Sequence, residues 1–315
     1  MTTFAFIYPG QGSQFIGMGR ELADAFPVAN EVFEQVDDAL SQDLSRLMWS
    51  GDEAELTLTS NTQPALMAVS VAATKALEAG FGVSVDSAKF VAGHSLGEYS
   101  ALAAAGALSV ADCARLLRIR GDAMQAAVPA GQGAMAALLG ASVDQALQLC
   151  EIGQASGVCE IANDNAPGQI VLSGDSAAID LVCERAKDQG VKKAVKLAVS
   201  APFHCSLMKP AAERMAEALA EVSFKAPRAT LIANVTASQT TDPASIGSDL
   251  IAQVTGQVRW RESVELMASE GVEKTIESGP GKVLTVMNRR TVRSLDGLSM
   301  GTPEEVESVA KWLQE

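Results

Sequence analysis

Gly93-His-Ser-Leu-Gly97 sets a serine midway between two glycines, directly after an apolar run and directly before the alanine-rich stretch that ends at Leu108. This is a G-x-S-x-G pattern between a predicted strand and a predicted helix. Its chemistry needs a turn sharp enough to expose the serine Oγ, and glycines two residues to either side let the backbones approach closely. The helix that follows points unpaired N–H groups at negative charge developing on an oxygen. The same residues also have a purely structural reading, because Ser95-Leu-Gly-Glu98 is an S-x-x-E capping box ahead of apolar residues.

A nucleophilic serine needs a base, and the chain offers two histidines, His94 and His204. His94 adjoins the serine, and neighbouring side chains project in different directions. His204 lies in "SAPFHCSLMKP", a loop after a predicted strand and before a predicted helix, where such a base would sit. If Ser95 is the nucleophile, His204 is nearly forced as its base. Cys205 as an alternative nucleophile has no second base. A hydrolase of the common type carries its histidine near the C-terminus, whereas 111 of the 315 residues follow His204. That order argues against an ordinary lipase or esterase.

Arg120 is the third residue of interest. Arg115 and Arg118 have Asp112 and Asp122 at helical pairing distance, but the helical neighbours of Arg120 are Leu116, Leu117, Ala123 and Met124. A guanidinium on an apolar face is costly unless an anion meets it. The anion is either an internal Asp or Glu or a ligand carboxylate held by both guanidinium nitrogens.

Two glycine loops fail the phosphate-binding patterns they approach. In "GQGSQFIGMG", counting from Gly10, Phe15 stands where a dinucleotide fingerprint has its third glycine. In "SGPGKV", Ile276 stands where a Walker A loop has its first glycine, and Val283 follows the lysine. The loop after the first strand can instead present a backbone N–H that joins the amide after the nucleophile in an oxyanion hole.

The elements that must position these residues alternate between strand-like and helical runs, so the expected fold is α/β with a mainly parallel sheet. Strands are expected at 4–8 and 89–92. Helices are expected where Val28, Val32, Val36 and Leu40 recur at helical spacing, after Pro64, over 109–127, and after the capping box Thr302-Pro-Glu-Glu305. The middle differs. Strands at 134–139, 158–162, 169–173 and 192–199, with helices at 142–151 and 176–188 and "NDNAPG" as a turn, give a β-α-β-β-α-β order. That order is ferredoxin-like. Residues 131–198 are therefore read as an insertion in a core made of residues 1–130 and 199–315.

Composition bounds the rest. The sequence is 48% hydrophobic and 20% charged, with net charge −14, which argues against nucleic acid as the main ligand. Five cysteines without metal-like spacing and only two histidines suggest reduced thiols and no metal site. The start lacks a signal-peptide pattern and no apolar stretch is long enough to span a bilayer, so a soluble cytoplasmic protein is expected. Charge is uneven. Residues 185–196 hold five basic side chains and one acidic, and 282–293 hold Lys282, Arg289, Arg290 and Arg293 with no acid. Each cluster is either a solvated face or a docking surface for an acidic partner.

Taken in order, "YPGQGSQFIGMG", "QPAL", "GHSLGEYSAL", "RGDAMQ", "GAMAALLG", "NAPGQIVLSG", "PFHCSLMKPAA", "LIAQVTGQVRW" and "ESGPGKVL" resemble the malonyl-CoA:acyl carrier protein transacylases of bacterial fatty-acid synthesis over essentially the whole chain. The resemblance implies a hydrolase-like α/β core with a ferredoxin-like insertion. It also implies an acyltransferase that passes malonyl from malonyl-CoA to the phosphopantetheine thiol of an acidic, transiently docked acyl carrier protein. No bound cofactor is implied, and a monomer is expected. By the same resemblance Ser95 is malonylated and His204 is base and then acid. Gln11 and Leu96 supply oxyanion-hole amides, Arg120 clamps the malonyl carboxylate, and Gln253 belongs to the site, with a nearby backbone carbonyl orienting the histidine. Two positions depart from the family pattern. "TGQVRW" stands where Asn-Pro often precedes the valine, and Phe203 stands where serine is frequent. In related polyketide acyltransferases a Phe before the histidine goes with malonyl. Two other classes remain: a plain serine hydrolase, and a non-catalytic binding protein for acyl-CoA or carrier protein.

Overall fold

The strand Phe4–Tyr8 (β1) is apolar and buried at every position, the pattern of a central strand covered on both faces. The structure, a computed structural model, describes residues 2–314. After β1 come Phe90–Gly93 (β2), Gly133–Ala141 (β3), Cys159–Ala166 (β4), Gly168–Asp175 (β5), Lys193–Lys196 (β6), Thr230–Ile232 (β7), Gln239–Thr240 (β8), Lys274–Ser278 (β9) and Asp296–Met300 (β10).

These strands form two sheets. The larger has the order β10-β9-β1-β2-β7-β8, parallel throughout except for β8. Side chains of β1 alternate between two cores. Phe4, Phe6 and Tyr8 join the larger one, with the helix Thr59–Phe81, while Ala5 and Ile7 join the other, with Trp260 and Val264. Because β1 and β2 are clamped from both faces, the loops at their carboxyl ends start from fixed points. The smaller sheet is antiparallel with order β4-β5-β3-β6. The helices Val143–Gly153 and Ser176–Arg185 pack on one face of it around Leu138, Leu149, Leu172 and Ile179. Its other face, with Met135 and Val171, packs against Leu197, Val199 and Phe203, next to the histidine loop.

The helix expected from Val28, Val32, Val36 and Leu40 is present as Pro27–Leu40, with Val32 and Val36 buried beside Ala29 and Phe33 and Leu40 packed against the same core. The structure corrects other local expectations. The helix expected after Pro64 starts at Thr59 and carries the proline inside it. Its first turn is fixed by side chains, with Asn61 Nδ2 donating to the Glu55 carbonyl and Thr62 Oγ1 to that of Leu56, so Pro64 does not break it. "NDNAPG" is not a six-residue turn, because β4 runs on through Ala166 and leaves Pro167 before β5. The strand expected at 192–199 is only Lys193–Lys196. At Thr302 half of the capping box forms. Thr302 Oγ1 accepts from the Glu305 amide, while Glu305 Oε2 accepts from Gly301 instead of Thr302.

Candidate active site

Ser95 follows β2 and precedes the helix Gly97–Ala104. The bend is as tight as the glycine spacing requires. A Cβ on Gly93 would lie 1.9 Å from the Gly97 carbonyl oxygen, and one on Gly97 would lie 2.2 Å from that of Tyr8. Ser95 has φ +55°, and His204 has φ +59°. A non-glycine residue held there costs on the order of 1–3 kcal/mol, so both positions need support. For Ser95 it comes from Asn234 Oδ1, which accepts the Ser95 amide at 2.7 Å, and from Gln253 Nε2, which donates to the Ser95 carbonyl at 3.1 Å.

The capping-box reading of Ser95 fails. The helix has no side-chain cap. Ser95 Oγ lies 2.7 Å from His204 Nε2, and Glu98 turns inward to Asn234 N and Gln253 Nε2. The tautomer of His204 follows from its other nitrogen. Nδ1–H donates to the Gln253 backbone carbonyl at 2.9 Å, which leaves Nε2 to accept the Ser95 hydroxyl proton. The His204 pKa is pushed down to about 3, first by burial and then by the nearby Arg120 charge, so the imidazole is neutral in the free enzyme. His94 goes elsewhere. Its Nε2–H donates to Asn165 Oδ1 at 2.8 Å and its ring lies against Trp260.

Arg120, on the helix Val110–Ala127, is 2% exposed. Its Nη1 donates to Gln63 Oε1 at 2.7 Å. Its Nη2 donates to Gln253 Oε1 at 2.9 Å and to Ser95 Oγ at 3.1 Å. Among the described residues no carboxylate pairs with it directly, and its buried Nε has no partner. Three N–H groups of five are used. A buried cation with donors to spare, touching the nucleophile, is a site for an anionic substituent on whatever the serine attacks.

The groups meet at a cavity of about 200 Å³ lined by Gln11, Ser95, Leu96, Arg120, Phe203 and His204 together with Met135 and Asn163 of the smaller sheet. Among the described residues, neither the Gln11 nor the Leu96 amide has a protein acceptor, which leaves both free for an oxyanion. Gln253 does not line the cavity but joins these residues through its hydrogen bonds with Ser95, Arg120 and His204. Gln63 and Asn234 were not singled out, although "QPAL" contains the first and the second directly follows the apolar run Leu231-Ile-Ala. For Glu98 the sequence offers a role only in the capping-box alternative. No cluster of three or more His, Cys, Asp or Glu side chains among the described residues is placed to hold a metal ion, and no helix among them is long and apolar enough to cross a membrane.

Comparison with known proteins places this geometry. A malonyl CoA-acyl carrier protein transacylase of Bacillus subtilis is 45% identical over 316 aligned residues, covering 100% of this chain and 98% of the relative. The crystal structure of an acyl-carrier-protein-S-malonyltransferase from Bartonella henselae superposes with TM-score 0.97 at 52% identity, covering all of both chains. A malonyl-transacylase solved in complex with its type II PKS acyl-carrier protein matches with TM-score 0.94 at 38% identity, over 98% of this chain and 99% of that one. The acyl transferase domain family matches residues 5–312. With a serine–histidine pair at the bend after β2 and a match along almost its full length, the chain belongs to the acyl transferase domain family.

Proposed function

We propose that this enzyme transfers a malonyl group from malonyl-CoA to the phosphopantetheine thiol of an acyl carrier protein in fatty-acid synthesis, through an ester on Ser95. The observation that carries the reading is the position of Ser95 Oγ, 2.7 Å from a neutral His204 and 3.1 Å from the buried Arg120 guanidinium. The first contact makes the oxygen a nucleophile. The second puts a cation beside the acyl group that it will carry.

Ser95 Oγ attacks the thioester carbonyl as its proton passes to His204 Nε2. The oxyanion takes the Gln11 and Leu96 amides, a kind of donor worth about 3–4 kcal/mol each when lost. The C–S bond breaks and the CoA sulfur takes the proton from His204. In the second half the carrier thiol gives its proton to His204, its sulfur attacks the ester carbonyl, and the C–O bond breaks to return the proton to Ser95. Arg120 holds the malonyl carboxylate throughout. Phe203 narrows the cavity on the side of the smaller sheet, which favours an unbranched malonyl group. The chemistry uses no bound cofactor. The division into a core of residues 1–130 and 199–315 with an insertion at 131–198, a monomeric state and a cytoplasmic location complete the reading.

Isotope exchange tests it. With labelled CoA, malonyl-CoA and no carrier protein, label enters malonyl-CoA through the acyl-enzyme and little free malonate forms. Steady malonate release without exchange would make the chain a hydrolase, and neither exchange nor release would make it a binding protein.

A further inference from the structure

Glu98 is 1% exposed and is absent from the chemistry above. Its Oε2 accepts from Gln253 Nε2 at 2.7 Å and from the Asn234 amide at 3.1 Å, while Oε1 is buried without a partner among the described residues. Both donors also hold the site. Asn234 takes the Ser95 amide, and Gln253, 0% exposed, takes the Arg120 Nη2–H on Oε1 and the His204 Nδ1–H on its backbone carbonyl. An amide in an apolar setting can face either way. Here its NH2 end faces the Glu98 carboxylate, so its oxygen faces Arg120.

We propose that Glu98 is a positioning residue and the buried counter-charge of the acyl-carboxylate clamp, acting on Arg120 through the Gln253 side-chain amide. This rests on the malonyl reading of the site. The missing acid opposite Arg120 is thus present one amide away, which leaves the guanidinium without a directly paired carboxylate among the described residues.

A consequence follows from charge balance. In the free enzyme one guanidinium faces one carboxylate across the Gln253 amide. A malonyl carboxylate on Arg120 adds a second anion to a single buried cation, and the two anions compete for it. The acid with the weaker claim takes up a proton. Glu98 is that acid, since burial, helped by Asp249 on the helix Pro243–Thr255, holds its pKa up at about 7 against the hydrogen bonds from Asn234 and Gln253 and the charge of Arg120. Tyr99, next to it, is held neutral by burial. Malonyl-CoA binding therefore takes up a proton at Glu98, and acetyl-CoA binding, which leaves Arg120 unmet, does not.

Calorimetry on the Ser95→Ala protein reads this directly. Malonyl-CoA and acetyl-CoA are titrated at pH 7 in two buffers of different ionisation enthalpy, so that the CoA portion cancels between ligands. The expected excess for malonyl-CoA is roughly half a proton, and it vanishes in Ser95→Ala/Glu98→Gln while Glu98→Asp retains it. Equal proton counts for the two ligands in the Ser95→Ala protein would overturn the inference without any Glu98 variant. So would an excess that persists in the Glu98→Gln background, which would assign the proton to another group such as His204. Failure of malonyl-CoA to bind more tightly than acetyl-CoA would instead overturn the clamp reading itself, and this inference with it.

Discussion

The His204 imidazole is oriented by the backbone carbonyl of Gln253, 2.9 Å from Nδ1, where a serine hydrolase has a carboxylate. A neutral carbonyl fixes the tautomer but favours the imidazolium less than a carboxylate would, and burial, then the Arg120 charge, outweigh it. The proton therefore stays on Ser95 until a substrate is in place. His204 differs in this from a histidine that ionises near neutral pH.

The pH profile of acylation should show the difference. A folded-state pKa depressed to about 3, against about 6.5 for an unperturbed histidine, means that the free enzyme keeps its base as pH falls. The kcat/KM for Ser95 acylation by malonyl-CoA should show no acidic limb with a midpoint near 6.5 between pH 8 and pH 5. Such a limb, measured by stopped flow or rapid quench, would contradict the assigned environment. Stability carries the opposite sign. The unfolded chain takes up a proton at His204 below about pH 6.5 and the native site does not, so this residue's contribution is present above that pH and is lost as pH falls towards 3.

Replacing Arg120 by Ala removes two or more charge-assisted hydrogen bonds to a malonyl carboxylate, each worth about 1.5–3 kcal/mol. Malonyl-CoA kcat/KM should fall by at least about a hundredfold, with acetyl-CoA tolerated better. A malonyl-over-acetyl preference equal to that of the wild type, from parallel assays of the two thioesters, would refute the clamp.

Gly97→Ala tests the bend. The added Cβ would lie 2.2 Å from the Tyr8 carbonyl oxygen, inside any allowed contact, so β1 and the helix start must separate. Overpacking of this kind costs about 1–3 kcal/mol or more. Thermal unfolding should report a lower Tm, and acylation of the remaining folded enzyme should drop at least tenfold because Ser95 and His204 no longer align. Unchanged acylation would show that the tight bend is not needed.

Much of this was legible in the sequence, for identifiable physical reasons. The serine and histidine were found through scarcity and spacing, since one G-x-S-x-G and one histidine outside it leave few combinations. Arg120 stood out because a charge on an apolar helical face must be answered from outside its own helix. Strands β1 and β2 and the succession of strands and helices in the smaller unit followed from apolar runs and their spacing. The errors arose where tertiary contacts override local signals. Pro64 sits inside a helix because two side chains anchor the turns before it. Ser95-Leu-Gly-Glu98 carries a capping pattern, yet Glu98 is drawn inward by Gln253 and Asn234, which are far away in sequence. Gln63 and Asn234 lacked a signal because an amide that holds a site looks like any other polar residue until its neighbours are known.

The two basic clusters now separate. In the first, Lys196 pairs with Asp180 and Arg185 with Asp188. In the second, Lys282, Arg289, Arg290 and Arg293 have no acidic partner among the described residues, and Val283 and Val286 are exposed beside them at 43% and 44%. A Cβ added on Gly281, at the start of this segment, would lie 3.9 Å from the Ser13 Cβ in the loop after β1. Charge reversal at Arg289 and Arg290 should raise the apparent KM for an acidic carrier protein roughly tenfold at low salt and leave the CoA half-reaction unchanged. Reversal at Lys192 and Lys193 should do less. If the second pair has the larger effect, the docking face is the other one.

A malonyl ester on Ser95 Oγ is read most directly by intact-protein mass spectrometry. After mixing with malonyl-CoA, the wild type should gain a single malonyl group that disappears when holo carrier protein is added, while Ser95→Ala gains none. A malonyl adduct of equal yield on Ser95→Ala, or no adduct on the wild type under conditions of active transfer, would contradict the account.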